Sequence, residues 1–529
     1  MAEAKTKCIV VGAGPVGALA ALYAAKRGWD VEVHELRGGM HCLGSLRCYL
    51  RHASTTPLNF TKSINLALSE RGINAMRHSG SLTLLDSVLA DTIPMHGRMI
   101  HGQDKSGKLT EDSQQYDIHG NFLRAVDRAI LNKVLLNELE GLPNVRLIFH
   151  SKLTGADFRK RKAWFETTPA KAPQTADGAQ AAQSQHDDRP KEREITFDLL
   201  LGCDGAHSSV RYHLMKSLRM DYQQTYIDTL WCEFTIPAAS DTATPSPSPS
   251  AISGFATSPN HLHIWPSATS MFIAIPSVDK TFTCTLFAPS QTFSDLEARP
   301  QDLKTYFTET SPGALPLIGS SESLEKQFKA NPHLPLISIK CSPHTFSSSA
   351  AILGDAAHAM VPFYGQGMNA GLEDVHVLFT HLDAQPSTET GRNTALAEYT
   401  ATRVPDAHTI NDLALANYWE MHAGVTNPVY LARKNVEEFL SDKVPASGFK
   451  TQYSRVSFSN ERYSEVAAAV QRQSKVLLQG LIGTVVLPVL GWAAWWAWRW
   501  QRTTPVARSA FRGSLNFTAL TERVGRIFT

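Results

Sequence analysis

Ile9-Val-Val-Gly12-Ala-Gly14-Pro-Val-Gly17-Ala-Leu-Ala-Ala21 sets three glycines in GxGxxG register between two apolar runs. The run before it, from Cys8, has the length and composition of a buried strand, and the Ala-rich run after it has those of a helix. Each glycine then has a distinct role. Gly12 makes the tight turn, Gly14 lets backbone approach a pyrophosphate, and Gly17 lets helix and strand pack closely. The helix N-terminus favours the anion. A second strand over Asp30 to His34 ends at Glu35, about twenty residues beyond the motif, where a carboxylate can accept hydrogen bonds from a ribose diol. An adenosine ribose without a 2′-phosphate is the expected occupant.

Two later segments repeat the pattern of a buried strand that ends in a turn. Leu199-Leu-Leu-Gly-Cys-Asp204-Gly205-Ala-His-Ser-Ser-Val-Arg211 reads as a strand closing on Asp-Gly, with a helix from about Ser208. Ala351-Ile-Leu-Gly354-Asp355-Ala-Ala-His358 closes on Gly-Asp and leads into Val361-Pro-Phe-Tyr-Gly365-Gln-Gly367-Met-Asn369-Ala-Gly-Leu-Glu-Asp374. A helix start near Asn369 would stabilise negative charge beside a bound ring system. His358 reads as structural, since nothing in this pattern asks for a strong base.

The remaining sequence sets limits. With 529 residues, 43% hydrophobic and 19% charged, the chain is globular in composition. Its 51 Lys and Arg against 49 Asp and Glu leave a formal charge of +2, which excludes a general attraction for nucleic acid. Seven scattered cysteines without a CxxC pair suggest neither a disulfide framework nor a zinc site, and no metal is expected. Runs at Leu262–Trp265, Ser270–Ile275 and Phe282–Phe287 predict strands. Helical spacing predominates from about Asn393 to Ser474, with Leu413, Ala416, Asn417 and Glu420 on one face. Thr167–Glu194 and Ala238–Ser250 lack apolar periodicity and read as surface insertions in loops. Val476–Trp498 has 23 residues without a charge, with Trp492, Trp495, Trp496 and Trp498 gathered at one end. That is the length of a membrane-spanning helix, the alternative being a hydrophobic hairpin packed on the globular part.

The three strand-end motifs in this order resemble the single-component flavin aromatic hydroxylases. Further segments are similar to the kynurenine-hydroxylating branch of that family: Ser63-Ile-Asn-Leu-Ala-Leu-Ser69-Glu-Arg-Gly72, Pro94-Met-His-Gly-Arg98-Met-Ile-His101, Leu262-His-Ile-Trp-Pro266, Phe282-Thr-Cys-Thr-Leu-Phe287, Arg403-Val-Pro-Asp406 and Asn417-Tyr-Trp-Glu-Met421. The resemblance implies an α/β fold, with a Rossmann-like FAD-binding domain interleaved with a mostly antiparallel substrate sheet, then a helical C-terminal part and one transmembrane helix. The corresponding boundaries are 1–80, 120–220 and 335–385 for FAD, 81–119 and 221–334 for the substrate sheet, 386–475 for the helical cap, 476–498 for the anchor and 499–529 for a basic tail.

It implies FAD as cofactor, NADPH as transient co-substrate, O₂, and hydroxylation of L-kynurenine at ring carbon 3 through a flavin hydroperoxide, on the route to NAD. Anchoring in the mitochondrial outer membrane through 476–498, with the globular part facing the cytosol, is also implied. Carried over residue by residue, Arg98 would pair with the substrate carboxylate and Tyr116 would add a hydroxyl. Asn417 and Tyr453 would reach the substrate from the helical part, and Pro362, Phe363 and Gln366 would wall the ring. Around the flavin stand Gly12, Gly14, Val16, Gly17, Glu35, Arg37, Ala67, Arg128, Leu153, Asp204, Gly205, Gly354, Asp355, Gly367, Met368 and Asn369. No acid, base or nucleophile is singled out as catalytic. Two other readings remain open at this point: hydroxylation of another anionic aromatic, and a non-catalytic FAD-binding escort.

Overall fold

The strand Lys7–Val11 occupies an interior position in a six-stranded sheet. The order is Thr345–Phe346, Ala350–Ile352, Leu199–Gly202, Lys7–Val11, Asp30–His34 and Val145–Ile148. All neighbours run parallel except the Thr345–Phe346 edge. A computed structural model describes residues 5–37, 65–167, 191–239, 248–252, 254–423, 428–481 and 487–503.

Alternation along these strands decides which face each residue serves. Cys8 and Val10 pack with helices Pro15–Lys26, Arg128–Glu140 and Gly367–Asp383, whereas Ile9, Val11 and Leu200 pack with Phe165 and Ile195 of a three-stranded sheet on the other side. The three strand-end motifs therefore meet at the carboxyl end of one parallel sheet, where open α/β sheets bind ligands.

A seven-stranded sheet forms the second layer, in the order Leu334–Ser342, Asp221–Ile236, Phe282–Ala288, Met271–Pro276, His261–Pro266, Gly97–Gln103 and Leu109–Gln115. It is antiparallel throughout except where Gly97–Gln103 runs parallel to His261–Pro266. Here too the period of two divides labour: Trp265, Phe272 and Leu286 face the helices between 290 and 330, while Ile264, Met271 and Phe287 face the C-terminal helices. A further three-stranded sheet, in the order Asn65–Leu68, Leu123–Asp127 and Thr92–Met95, touches both the seven-stranded sheet and helix Gly367–Asp383.

The helical C-terminal part comprises Glu389–Ala423, Pro428–Lys443, Gln452–Phe458 and Tyr463–Leu481. It is fastened by a buried ionic network. Glu373 accepts from Arg71 at 2.6 Å and from Arg403 at 2.8 Å, and Arg403 also pairs with Asp374. Arg71 in turn donates to the carbonyls of Val456 and Glu461. Burial opposes ionisation of Asp374, yet His358 and Arg403 hold its carboxyl well below the usual range.

Two expectations are corrected. The 476–498 stretch is not one transmembrane helix: Tyr463–Leu481 ends inside it and Leu487–Thr503 begins inside it, with 482–486 outside the described residues. Among the described residues no helix is long and apolar enough to cross a membrane. The physical reason is composition within each helix. The last has 17 residues and carries Arg499 and Arg502, while the preceding one places Glu465, Arg472 and Lys475 on the same helix as Val476–Leu481. A span needs about 20 predominantly apolar residues.

The other correction concerns the loops. Residues 191–194 belong to the strand Lys191–Thr196, paired antiparallel with Lys162–Thr167. Ser248 is buried, donates to Glu111 and stands 2.9 Å from the Thr257 hydroxyl. The rest of both insertions, 168–190 and 240–247, and the basic tail beyond 503 lie outside the described residues.

Candidate active site

At the first turn, glycine identity follows from contact. A Cβ on Gly12, whose φ is +99°, would stand 2.4 Å from the Cys203 carbonyl oxygen, and one on Gly17 would stand 1.9 Å from the Gly12 carbonyl oxygen. Gly14 meets nothing within 4 Å and opens the N-terminus of helix Pro15–Lys26. Two glycines are thus required by packing, and the third leaves clear approach to the helix N-terminus for an anion.

Glu35 accepts from the backbone of Ala13 at 2.8 Å through Oε2 and from that of Arg37 at 3.0 Å through Oε1. Its carboxylate is thereby fixed at the strand end with lone pairs to spare for a diol. Arg37 is 63% exposed beside it, and Arg128 is exposed at the first turn of its helix. Leu153 packs in the apolar cluster with Ile9 and Phe165; its strand begins at Ser151, whose N–H donates to the Glu35 carbonyl.

Asp204 is committed to its own helix. It accepts from Ser208 Oγ and from the N–H groups of Ser209 and Val210, capping Ser209–Ser217, while Gly205 turns the chain at φ +81°. Burial raises the Asp204 pKa against those hydrogen bonds. Asp355 is the exposed residue in the otherwise buried run from Ala350 to Ala359, which leaves its carboxylate available to a ligand. Gly354, at φ +59°, donates its N–H to Asp374 at 2.7 Å and packs against Val16.

Helix Gly367–Asp383 begins two residues before Asn369, earlier than expected. Met368 is half-buried on it. Asn369 is fully buried and ties the loop to the neighbouring strand: its Oδ1 accepts from Ser69 N, and its Nδ2 donates to the carbonyls of Ala67 and Gly365. These residues fit FAD at the Gly14 opening, the Glu35 carboxylate, the Asp355 side chain and the Gly365–Asn369 turn.

A cavity of about 730 Å³ lies between the seven-stranded sheet and the C-terminal helices. Arg98, Tyr116, Asn417 and Tyr453 all line it, joined by Tyr364. The Arg98 guanidinium stands 4.6 Å from the Tyr453 ring centre, and the Tyr116 and Tyr453 rings stack at 5.4 Å. Tyr116 Oη is buried and has no hydrogen-bond partner among the described residues. Burial, with Tyr453 beside it, pushes this phenol well above its usual pKa against the opposing charge of Arg98, so it remains a neutral donor.

Asn417 Nδ2 donates to the Phe363 carbonyl at 2.7 Å, leaving its Oδ1 as an acceptor. Phe363 sits between Phe287 and Tyr418, and Gln366 is buried. Pro362 is exposed, and none of Pro362, Phe363 and Gln366 lines the described cavity. Sequence reasoning missed Tyr364 as a cavity residue, although it lies inside the quoted VPFYGQG run. It also gave no role to Arg71, although that residue lies inside the quoted Ser63–Gly72 segment, nor to Tyr463.

Residues 5–414 match the family model described as FAD binding domain. The kynurenine 3-monooxygenase of Neurospora crassa is 56% identical over 504 residues, covering 93% of each chain. That of Emericella nidulans is 51% identical, covering 97% of each. Among solved structures, 2-methyl-3-hydroxypyridine-5-carboxylic acid oxygenase aligns with a TM-score of 0.56 at 18% identity, covering 81% of this chain and 96% of that one. Pseudomonas aeruginosa PqsL in complex with 2-aminobenzoylacetate aligns at 0.57 and 17% identity, covering 80% and 98%. At such identities these two structures speak to the fold alone.

Proposed function

This chain belongs to the kynurenine 3-monooxygenase family of FAD-dependent monooxygenases, and from that premise we propose that its own reaction is hydroxylation of L-kynurenine at ring carbon 3. L-Kynurenine, NADPH, a proton and O₂ give 3-hydroxy-L-kynurenine, NADP⁺ and water. The observation that carries the substrate is the convergence of Arg98, Tyr116, Asn417 and Tyr453 on one cavity beside the Tyr364–Gly365 turn.

Bound FAD would take a hydride from NADPH and then activate O₂ to deliver one oxygen atom to an electron-rich ring. Gly14, Glu35, Asp355 and the Gly365–Asn369 turn would hold it. Arg98 presents a planar donor fork suited to bidentate pairing with the α-carboxylate. Tyr116 adds a neutral hydroxyl donor, and Asn417 Oδ1 accepts from the ammonium group. Anchoring the amino-acid end in this way leaves the ring to lie toward the Tyr364–Gly365 turn. The ring amino group donates electron density to its ortho carbon, which makes that carbon an electron-rich position of the ring. Stacked Tyr116, Tyr453 and Tyr364 rings form one aromatic wall of the cavity, running from the amino-acid end to the turn.

The test is NADPH oxidation by the purified full chain with and without L-kynurenine, together with mass analysis of the product. The reading requires strong stimulation and a product heavier by one oxygen atom. Stimulation by a different anionic aromatic alone would reassign the substrate, and FAD binding without turnover would leave an escort. For location, we propose the mitochondrial outer membrane, with the catalytic body on the cytosolic side. The exposed Trp492, Trp495, Trp496 and Trp498 support interfacial contact, since indole rings favour the boundary between lipid and water. Recovery of the full chain in the soluble fraction of lysed cells would reject that placement.

A further inference from the structure

Tyr463 is fully buried and opens helix Tyr463–Leu481. Its hydroxyl donates to Gln366 Oε1 at 3.1 Å. Its ring is held from one side by the Arg71 guanidinium, 3.9 Å from the ring centre, with Arg403 at 5.7 Å. Phenylalanine would satisfy all of that packing, so the hydroxyl calls for its own explanation. Here it is the amide oxygen that faces Tyr463 and accepts, and a phenylalanine would leave that oxygen without this bond and the amide free to turn. Gln366 is the residue that precedes and opens helix Gly367–Asp383, so its side chain sits at the junction of the turn and the helix.

The chain around Tyr463 gives this contact a reach beyond Gln366. Tyr453, ten residues earlier, lines the substrate cavity and stacks on Tyr364 at 5.8 Å with the rings 16° apart. Between the two tyrosines, Arg71 holds the carbonyls of Val456 and Glu461. A single segment, 453–463, therefore touches the 364–366 turn at both ends, through Tyr453 on Tyr364 and Tyr463 on Gln366. One of those ends also forms the wall against which the amino-acid part of the substrate would lie.

We propose that Tyr463 is a positioning residue for hydroxylation: its hydroxyl fixes the Gln366 amide, and the 453–463 segment thereby ties seating of substrate against Tyr453 to the geometry of the flavin-facing turn. This rests on the functional reading above. Tyr463 touches neither substrate nor reacting atoms; it acts through Gln366. What it governs is how faithfully reducing equivalents from NADPH end in product rather than in hydrogen peroxide.

Tyr463→Phe in the full-length, FAD-loaded protein tests this, beside the parent and Gln366→Leu. The expected variant is folded and yellow, and its KM for L-kynurenine stays within about twofold of the parent. Its fraction of NADPH recovered as hydroxylated product falls about threefold to tenfold, the factor that one neutral hydrogen bond carries, and peroxide makes up the difference. The change in the flavin absorption spectrum on adding L-kynurenine should also differ from the parent's. Gln366→Leu should reproduce both effects, and the double variant should be no worse than either single one. Parental coupling and an unchanged spectrum in Tyr463→Phe would overturn the proposal, as would a lower melting temperature with full coupling in the enzyme that remains folded. Multiplicative losses in the double variant would overturn it too, because the two residues would then act separately. A parent that fails to hydroxylate kynurenine would sink the functional reading, and the resting flavin spectrum of Tyr463→Phe would still decide whether its hydroxyl reaches the turn.

Discussion

Arg98 combines a fixed charge with two aromatic faces, and its removal should affect binding more than folding. Arg98→Ala is expected to raise the KM for L-kynurenine by about thirtyfold or more, since breaking a hydrogen-bonded charge pair costs about 2 to 5 kcal/mol, while bound FAD keeps its spectrum. Arg98→Lys should recover only part of the loss, because a point charge cannot reproduce a planar fork. Steady-state kinetics and the visible spectrum read both, and loss of FAD from Arg98→Ala would make the arginine structural. Residues whose role is set by local backbone were legible in the sequence. Gly12 and Gly17 are demanded by contacts within a dozen residues or across one parallel strand pair, and Glu35 by the end of the next strand. Tyr463 and Arg71 were not legible, because they acquire meaning only through partners that folding brings from 97 and 302 residues away.

Elements built on alternation were readable for the same reason. Strands His261–Pro266, Met271–Pro276 and Phe282–Ala288 lie where β-branched and aromatic runs between turn residues put them. The apolar tail misled because its uncharged length suggests one span, whereas the chain divides it between two helices that each carry charge. Asp204 shows how a motif residue can serve its element first. Asp204→Ala removes the acceptor for the Ser209 and Val210 N–H groups, leaving helix Ser209–Ser217 with its N-cap Ser208, which accepts from Arg211 N–H, and is expected to cost about 1 to 2 kcal/mol, read as a lower urea midpoint. An unchanged midpoint would mean that Ser208 caps the helix unaided. The ionic network is a larger element-scale liability. Arg403→Met leaves Glu373 with Arg71 alone and Asp374 with only His358 and the Gly354 N–H, and is expected to lose about 3 to 5 kcal/mol, with the C-terminal helices becoming sensitive to protease before the sheets do. A midpoint within about 1 kcal/mol of the parent would show that the network contributes little.

Acid should weaken the whole molecule through histidines buried neutral: His101 and His263, 2.7 Å apart on neighbouring strands of the seven-stranded sheet, and His344 beside the six-stranded one. Burial pulls His101 down to about 3, His263 to about 4 and His344 to about 3, from ordinary values near 6.5. The unfolded chain binds protons at these sites before the folded chain does, so stability holds above about pH 6.5 and is lost as pH falls toward 4 and 3. Each site should contribute a slope of up to about 1.4 kcal/mol per pH unit in that window. A melting temperature that stays flat between pH 6.5 and 4.5 would count against neutral burial. The hairpin formed by Lys162–Thr167 and Lys191–Thr196 bears on how the chain can be engineered. Thr167 and Lys191 are cross-strand partners, so whatever joins them leaves and re-enters at points about 5 Å apart. Replacing 168–190 with an epitope or a small fluorescent domain whose own termini lie close together should leave hydroxylation intact, making that edge a place to attach a reporter or an immobilisation handle.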